Sequence, residues 1–310
     1  MPELLTVEGI EVKREGTYGT DPTPATSDGV RLAKNMWNNM DPDFNWENDR
    51  RGVVSGAIIP VKAALPRGRM VKLEIFAEVK GAGADVPPEV AELEVACGHP
   101  ETDGAVLWTY GPLTSGTKGS CTIYAYAGGM LWKITGCRGR GRLELVNGEL
   151  AVMHYTMFGI LATDPVTSAL AGITYDATEP IAAVNAGLTI GSWSPDWLSM
   201  VVDPNGVDAQ LLASGNAVDG IQMFDFGDSD PTIELVARKV PLATYDPFTD
   251  RKNRTSRTLL FTLGPAVSFN RLKVLSATVS VMKHELLDSE GFVNYRLLYR
   301  IEAGGTWQFD

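Results

Sequence analysis

Apolar and polar residues alternate with a period of two over much of the chain. Val71, Leu73, Ile75, Ala77 and Val79 interleave with Lys72, Glu74, Phe76 and Glu78, the pattern of a strand with one buried face. Ile123, Ala125 and Ala127 interleave with Thr122, Tyr124 and Tyr126. Gly128-Gly129 then leads into Met130-Leu131-Trp132-Lys133-Ile134, which predicts a two-residue hairpin. Asn147-Gly148 predicts a second tight turn, between a strand over 142–146 and a long return strand over 149–161. One helix is expected over 87–97: Asp85 is a candidate cap, Pro87 and Pro88 suit a first turn, and Gly98 suits the end. Residues 13–50 hold Gly19, Pro22, Pro24, Pro42 and many Asn and Asp without clean periodicity. They read as an extended arm or long loop of the kind that contacts partners.

The second half repeats this plan. Ile233, Leu235 and Ala237 alternate with Glu234, Val236 and Arg238, and Asp246-Pro247-Phe248 stands where the first half has its Pro-Pro helix. Residues 256–264 repeat the Ser-x-Thr start, the alternation and the closing glycine of residues 120–128. Residues 267–281 mirror 131–146, and Val293, Tyr295, Leu297, Tyr299 and Ile301 alternate strictly. The two Ser-x-Thr starts lie 136 residues apart, close to one domain length. The expected organisation is mainly β: two tandem domains, 1–170 with the arm and 171–310, related by duplication, each a β-barrel or sandwich with a short helix.

Composition narrows the function classes. The chain has 310 residues, 44 % of them hydrophobic, enough to bury a large core without staples. A net charge of −11 argues against wrapping nucleic acid or adhering to anionic membranes, both of which need a basic footprint. It leaves room for a surface that DNA passes without sticking. Cys97, Cys121 and Cys137 form no CxxC pair, so reduced thiols are expected rather than a disulfide framework or a zinc site. The first residues carry Glu3 and Glu8 and no apolar stretch, so no signal peptide is expected. The longest uncharged run, 180–195, is too short and too polar to span a bilayer.

Catalytic chemistry is sparse. His284-Glu285-Leu286-Leu287-Asp288 begins like a zincin helix but lacks the second histidine, and no Gly-x-Ser-x-Gly elbow is present. Asp225-Phe226-Gly227 stands without the other kinase motifs. Asp225, Asp228 and Asp230 lack EF-hand spacing. No catalytic, cofactor or metal set can be assembled, and the chain reads as a non-enzyme. Arg138, Arg140 and Arg142 would share one face of a strand, as partners for acids across an interface. Trp108 and Trp132 suit a core or an interface. This profile fits a self-assembling structural subunit. A β-sandwich carbohydrate-binding module using Trp193 and Trp197 is the competing reading from a different class.

Gly16-Thr17-Tyr18-Gly19-Thr20-Asp21-Pro22-Thr23-Pro24 resembles a segment of the tail tube (major tail) proteins of long-tailed bacteriophages, which often open with a short strand followed by such a run. Three further stretches are similar to that family. They are a strand, Gly-Ala-rich loop and helix over 73–98, a strand, glycine tip and Leu-x-Lys-Ile-Thr-Gly-Cys-Arg-Gly run over 120–145, and a strand ending near Phe158-Gly159. The likeness covers about residues 10–165; the second half matches through its strand plan, and residues 190–230 match nothing in it.

The resemblance implies a homo-oligomeric tube of stacked rings, each closed by an inter-subunit β-sheet lining the lumen. With two such domains per chain, a trimeric, pseudo-hexameric ring is expected. Implied partners are further copies of the chain and the tail terminator, tape measure and baseplate or distal tail proteins. Double-stranded DNA would pass the lumen without specific binding, and no membrane partner or cofactor is implied. The place implied is the virion tail, assembled in the host cytoplasm. An inner-tube or baseplate component of a contractile injection device is the neighbouring alternative. Candidate ring-to-ring residues are Tyr18, Gly19, Asp21, Pro22, Trp37 and Trp46 in the arm, and Gly81, Gly83 and Asp85 in the loop after the first strand. Candidate lumen-facing acids are Glu74, Glu78 and Glu234.

Overall fold

The computed structural model describes residues 8–34, 40–47, 65–81, 86–102, 108–111, 118–168, 170, 172–206, 208–214, 221–264, 270–289 and 291–309. The first half contains β1 (Gly9–Arg14), β2 (Gly29–Val30), β3 (Met40–Glu47), β4 (Leu65–Glu78), α1 (Ala91–Ala96), β5 (Glu101–Thr102), β6 (Trp108–Tyr110), β7 (Cys121–Ala127), β8 (Met130–Val146), β9 (Val152–Leu161) and β10 (Val166–Thr167). The second contains β11 (Gly187–Ile190), β12 (Trp197–Asp203), β13 (Gln210–Ala213), β14 (Ile221–Asp225), β15 (Thr232–Arg238), α2 (Pro247–Asn253), β16 (Ser256–Leu263), β17 (Leu272–Ser289) and β18 (Phe292–Phe309). Sixteen strands form one antiparallel sheet, and β13–β14 form a separate two-stranded one.

The pairings of the two halves follow the same order. In the first, β1 lies on β7, β7 on β8, β8 on β9, β9 on β4 and β4 on β3. In the second, β11 lies on β16, β16 on β17, β17 on β18, β18 on β15 and β15 on β12. The helix falls between corresponding strands each time. Residue rows correspond as well: Ala77–Met153–Leu143 in one half matches Ala237–Tyr295–Leu286 in the other.

Two seams join the halves. β7 covers one edge of β8 as far as Cys137, and β12 takes that edge from Leu143 to Val146. The far end of β18 pairs with β6, where Tyr110 and Phe309 meet edge to face at 5.8 Å. A single apolar cluster runs through both halves, from Ile10, Leu73 and Ile75 to Leu235, Leu297 and Phe309. It takes in inward positions of the alternating strands, where burial follows the period-two pattern, together with α1 residues such as Leu93 and loop residues such as Tyr245.

Several expectations change. No pairing closes the sheet into a barrel among the described residues; the outer edges of β3 and β11 stay open there. Residues 13–50 are not a continuous arm. β2 and β3 lie within them, and β3 pairs with β4 from Met40–Leu73 to Glu47–Leu65. Pro42 sits within β3, which has a strand partner on one side only among the described residues, the place where a missing N–H is tolerated. α1 begins at Ala91, after the prolines rather than on them; Asp85 lies outside the described residues. Asn147-Gly148 makes the expected tight turn: Glu149 N donates to the Val146 carbonyl at 3.0 Å, and Gly148 has φ 88. The return strand starts later than expected, at Val152, because residues 149–151 bond to 181–183. The match of 267–281 to 131–146 slips by several residues. Gly128-Gly129, at φ 58 and 72, makes a two-residue turn, whereas β16 and β17 are joined by eight residues, and β17 starts only at Leu272.

Candidate functional site

The outward face of the sheet carries charged rows built by alternation. With Leu73, Ile75 and Ala77 turned inward, Lys72, Glu74, Phe76 and Glu78 of β4 point out. The same rule turns His154, Thr156 and Phe158 of β9 and Arg138, Arg140, Arg142 and Glu144 of β8 to that face, where His154 and Arg138 are covered by their neighbours and buried. Register then sets partners: Phe76, His154 and Arg142 form one row, and Glu74, Thr156 and Arg140 the next.

Lys72 Nζ donates to Glu74 Oε1 at 2.8 Å, and Arg142 Nε to Glu144 Oε1 at 2.8 Å. His154 Nδ1 lies 3.0 Å from that same Glu144 oxygen, and its Nε2 3.8 Å from Glu74 Oε2. The imidazole stacks on Phe76 at 4.1 Å. The hydrogen bond with His154, helped by the Arg142 charge, holds the Glu144 carboxyl below its usual range. The bond from Lys72 does the same for Glu74.

The second half repeats the face. Arg296 of β18 donates to Glu234 of β15 at 2.7 Å and lies 3.7 Å from Glu285 of β17. Lys283 reaches Glu285 at 2.5 Å, and Arg300 bonds Asp230 at 2.7 Å. Glu285 occupies the row position of Arg142, and Arg296 that of His154. The charged surface continues across the β8–β12 seam, where Arg140 pairs with Asp203 and stands 3.6 Å from Asp208.

The sequence candidates fall as follows. Glu74 and Glu78 share the outward face of β4, Glu78 lying 3.9 Å from Lys80 Nζ, and Glu234 takes the position of Glu74 on β15. Tyr18, Gly19 and Asp21 are tied to their own chain. The Tyr18 hydroxyl accepts the Phe224 N–H at 2.8 Å, its ring lies 4.8 Å under the Arg138 guanidinium, and burial pushes its pKa up to about 12. Gly19 N donates to Glu15 and the Tyr124 hydroxyl to Asp21 at 2.6 Å. Pro22 lies in the loop between β1 and β2. Gly81 N donates to Asn270 at 3.1 Å. Trp46 is in β3; Trp37, Gly83 and Asp85 lie outside the described residues.

The arginine run finds acids inside the chain. Arg138 lies 3.4 Å from Asp225 and donates to the Phe224 carbonyl at 3.1 Å. Phe224 stacks on Phe158 at 5.8 Å, so the β13–β14 hairpin covers this end of the face. Trp193 and Trp197 are buried, Trp193 stacked flat on Tyr245 at 4.1 Å, so they form no open aromatic platform for a sugar. Arg296 carries no signal in the sequence, and Glu285 stands out there only within the zincin-like run. Their alternation is visible there, but which residue faces which depends on register.

Chemically, the cations named here each have a carboxylate within reach. Single exposed pairs stabilise little. Together they mean that a passing phosphate must displace a carboxylate to gain a contact, so the counterion-release drive is weak. Among the described residues there is no cluster of three or more metal-ligating side chains, and no helix long and apolar enough to cross a membrane. No protein-family model matches the chain, and no curated protein matches it.

Proposed function

We propose that this chain is a structural subunit of a phage tail tube, assembling into stacked rings that conduct DNA into the host. The observation that carries this reading is the repeated strand order on one uninterrupted sheet, with ion-paired charge along its outward face. Each half is then a tail-tube-like sandwich, the division falling near residue 170, and three chains supply six similar halves per ring. The outward face lines the lumen, and its paired arginines let DNA slide rather than bind. The segments around Tyr18 and Gly81, with the β3–β4 hairpin, meet the next ring. Tail terminator, tape measure and distal tail proteins would be its partners in the virion, after assembly in the host cytoplasm.

Cryo-EM of the purified protein, read end-on, tests this. Tubes with three chains of 33.5 kDa per ring are expected. Six chains per ring would keep the tube and remove the pseudo-hexamer. Compact monomers at every concentration would overturn the proposal.

A further inference from the structure

The seam inside the chain buries the end of the first-half hairpin, and the matching end of the second half is bare. Val79 N donates to the Ala151 carbonyl in the first half as Lys239 N does to the Val293 carbonyl in the second, so the two ends correspond. Residues of the second half close the first end. Ile181 N donates to the Val79 carbonyl at 2.8 Å, Ala151 N to the Ile181 carbonyl at 2.9 Å, and β12 sets Val202 against Leu143. Leu143, Ala151 and Val79 are all 0 % exposed.

Among the described residues no strand or segment closes the second end in this way. Leu286, in the row position of Leu143, is 55 % exposed, and Val293, in the place of Ala151, is 48 % exposed. The two stand diagonally on one face of the β17–β18 hairpin, because Leu286 lies opposite Tyr295 and Asp288 opposite Val293. That face is buried at Tyr295 and Leu297, so Leu286 and Val293 are core surface without a cover. Phe248 of α2 extends the patch. Its ring packs edge to face on His284, two residues before Leu286, and it is 41 % exposed. Apolar side chains exposed as a group mark a contact surface.

We infer that this bare end is where the next copy of the chain docks, and that the docking copy presents its first half. The inference rests on the tube reading and deepens it. The second half's own covering flank, residues 181–183 with β12, is already spent on the first half of its own chain. The matching flank of the first half is unspent. Leu32 bridges Ala77 as Trp197 of β12 pairs with Ala237, but β12 also lies on β8, whereas Leu32 has no second strand partner among the described residues. A bare second half therefore finds its cover on the first half of another chain. Such a contact is head to tail. Its two surfaces differ, so copies add in one direction until the rotation closes a ring.

The test uses the full chain carrying Leu286→Asp with Val293→Asp. Both side chains are exposed in the single chain, so circular dichroism and thermal unfolding should match those of the unaltered protein. Sedimentation and electron microscopy should show that rings and tubes are lost. Leu286→Ser with Val293→Ser gives the same reading should the aspartates disturb folding. The variant keeps its own first-half flank. Mixed with unaltered protein, it should therefore cap growing arcs and lower the yield of closed rings out of proportion to its share. Rings formed by the variant alone would overturn this surface while leaving the tube standing. A variant that neither assembles nor interferes would overturn head-to-tail docking in favour of a two-fold contact. Absence of any ordered assembly in the unaltered protein would overturn both this inference and the tube.

Discussion

The carboxylate of Glu15 accepts the backbone N–H of Gly136 at 2.7 Å, across 121 residues of chain. The same side chain takes the Gly19 N–H, the Ser120 hydroxyl and the Thr122 hydroxyl, each at 2.7 Å. It is buried, and it pins the loop after β1 to the β7–β8 sheet. Gly136 has φ 63, and a Cβ there would lie 2.8 Å from the Tyr18 ring, so only glycine serves.

Glu15→Gln should therefore destabilise the fold. An amide loses the charge that strengthens four hydrogen bonds and presents donors to donors, a loss of about 2–4 kcal/mol. Urea unfolding measures it. An unchanged midpoint would mean that the loop is not held by this carboxylate.

Removing acids from the outward face should create DNA binding. In Glu74→Gln, Glu144→Gln and Glu234→Gln combined, Lys72 and Arg142 lose the carboxylates they bond, and Arg296 loses its hydrogen-bonded one and keeps only Glu285 at 3.7 Å. We expect negligible binding of duplex DNA by the unaltered protein, and binding by the triple variant that weakens steeply with salt, roughly 0.9 log units per phosphate contact. Equal, salt-independent behaviour of the two would remove the neutralised face from the proposed account of DNA passage.

Acid should weaken the fold through the same residues. Glu74 and Glu144 titrate below the usual 4.5 in the folded chain. A depressed folded value gives stability that is complete above the unfolded value and is lost as pH falls through the folded one. Tm should stay level above about pH 5 and fall below 4.5. Glu144→Gln should shallow that acid limb. A Tm as high at pH 3 as at pH 7 would contradict it.

Tyr155→Phe should cost about 1–3 kcal/mol. The Tyr155 hydroxyl donates to buried Glu94 at 2.5 Å, and Glu94 also holds His99 at 2.6 Å. His99 reaches Asn205 at 2.7 Å, so this network links α1 to the turn after β12. Thermal unfolding with the variant beside Tyr110→Phe separates the network from the general loss of a hydroxyl.

Local alternation made much of this legible. The inward residues of β4, β7 and β15 follow from it, as does the Gly128-Gly129 turn. The recurrence of Ser-x-Thr at 120 and 256 pointed to matching strands, β7 and β16, that pair alike. What escaped was non-local. β3 carries Pro42 and acids and gains its strand character from β4. Nothing near the Asn147-Gly148 turn reveals that β12, some fifty residues on, takes the other edge of Leu145 and Val146. The Arg138–Asp225 and Arg296–Glu234 contacts likewise depend on how distant strands register.

Because β8 belongs to both halves at once, those halves cannot turn against each other without breaking backbone hydrogen bonds. A chain built this way behaves mechanically as one plank rather than two hinged leaves. Curvature imposed on an assembly of such planks must be absorbed where one chain ends and the next begins, so flexibility resides in the contacts between molecules and stiffness in the molecule itself.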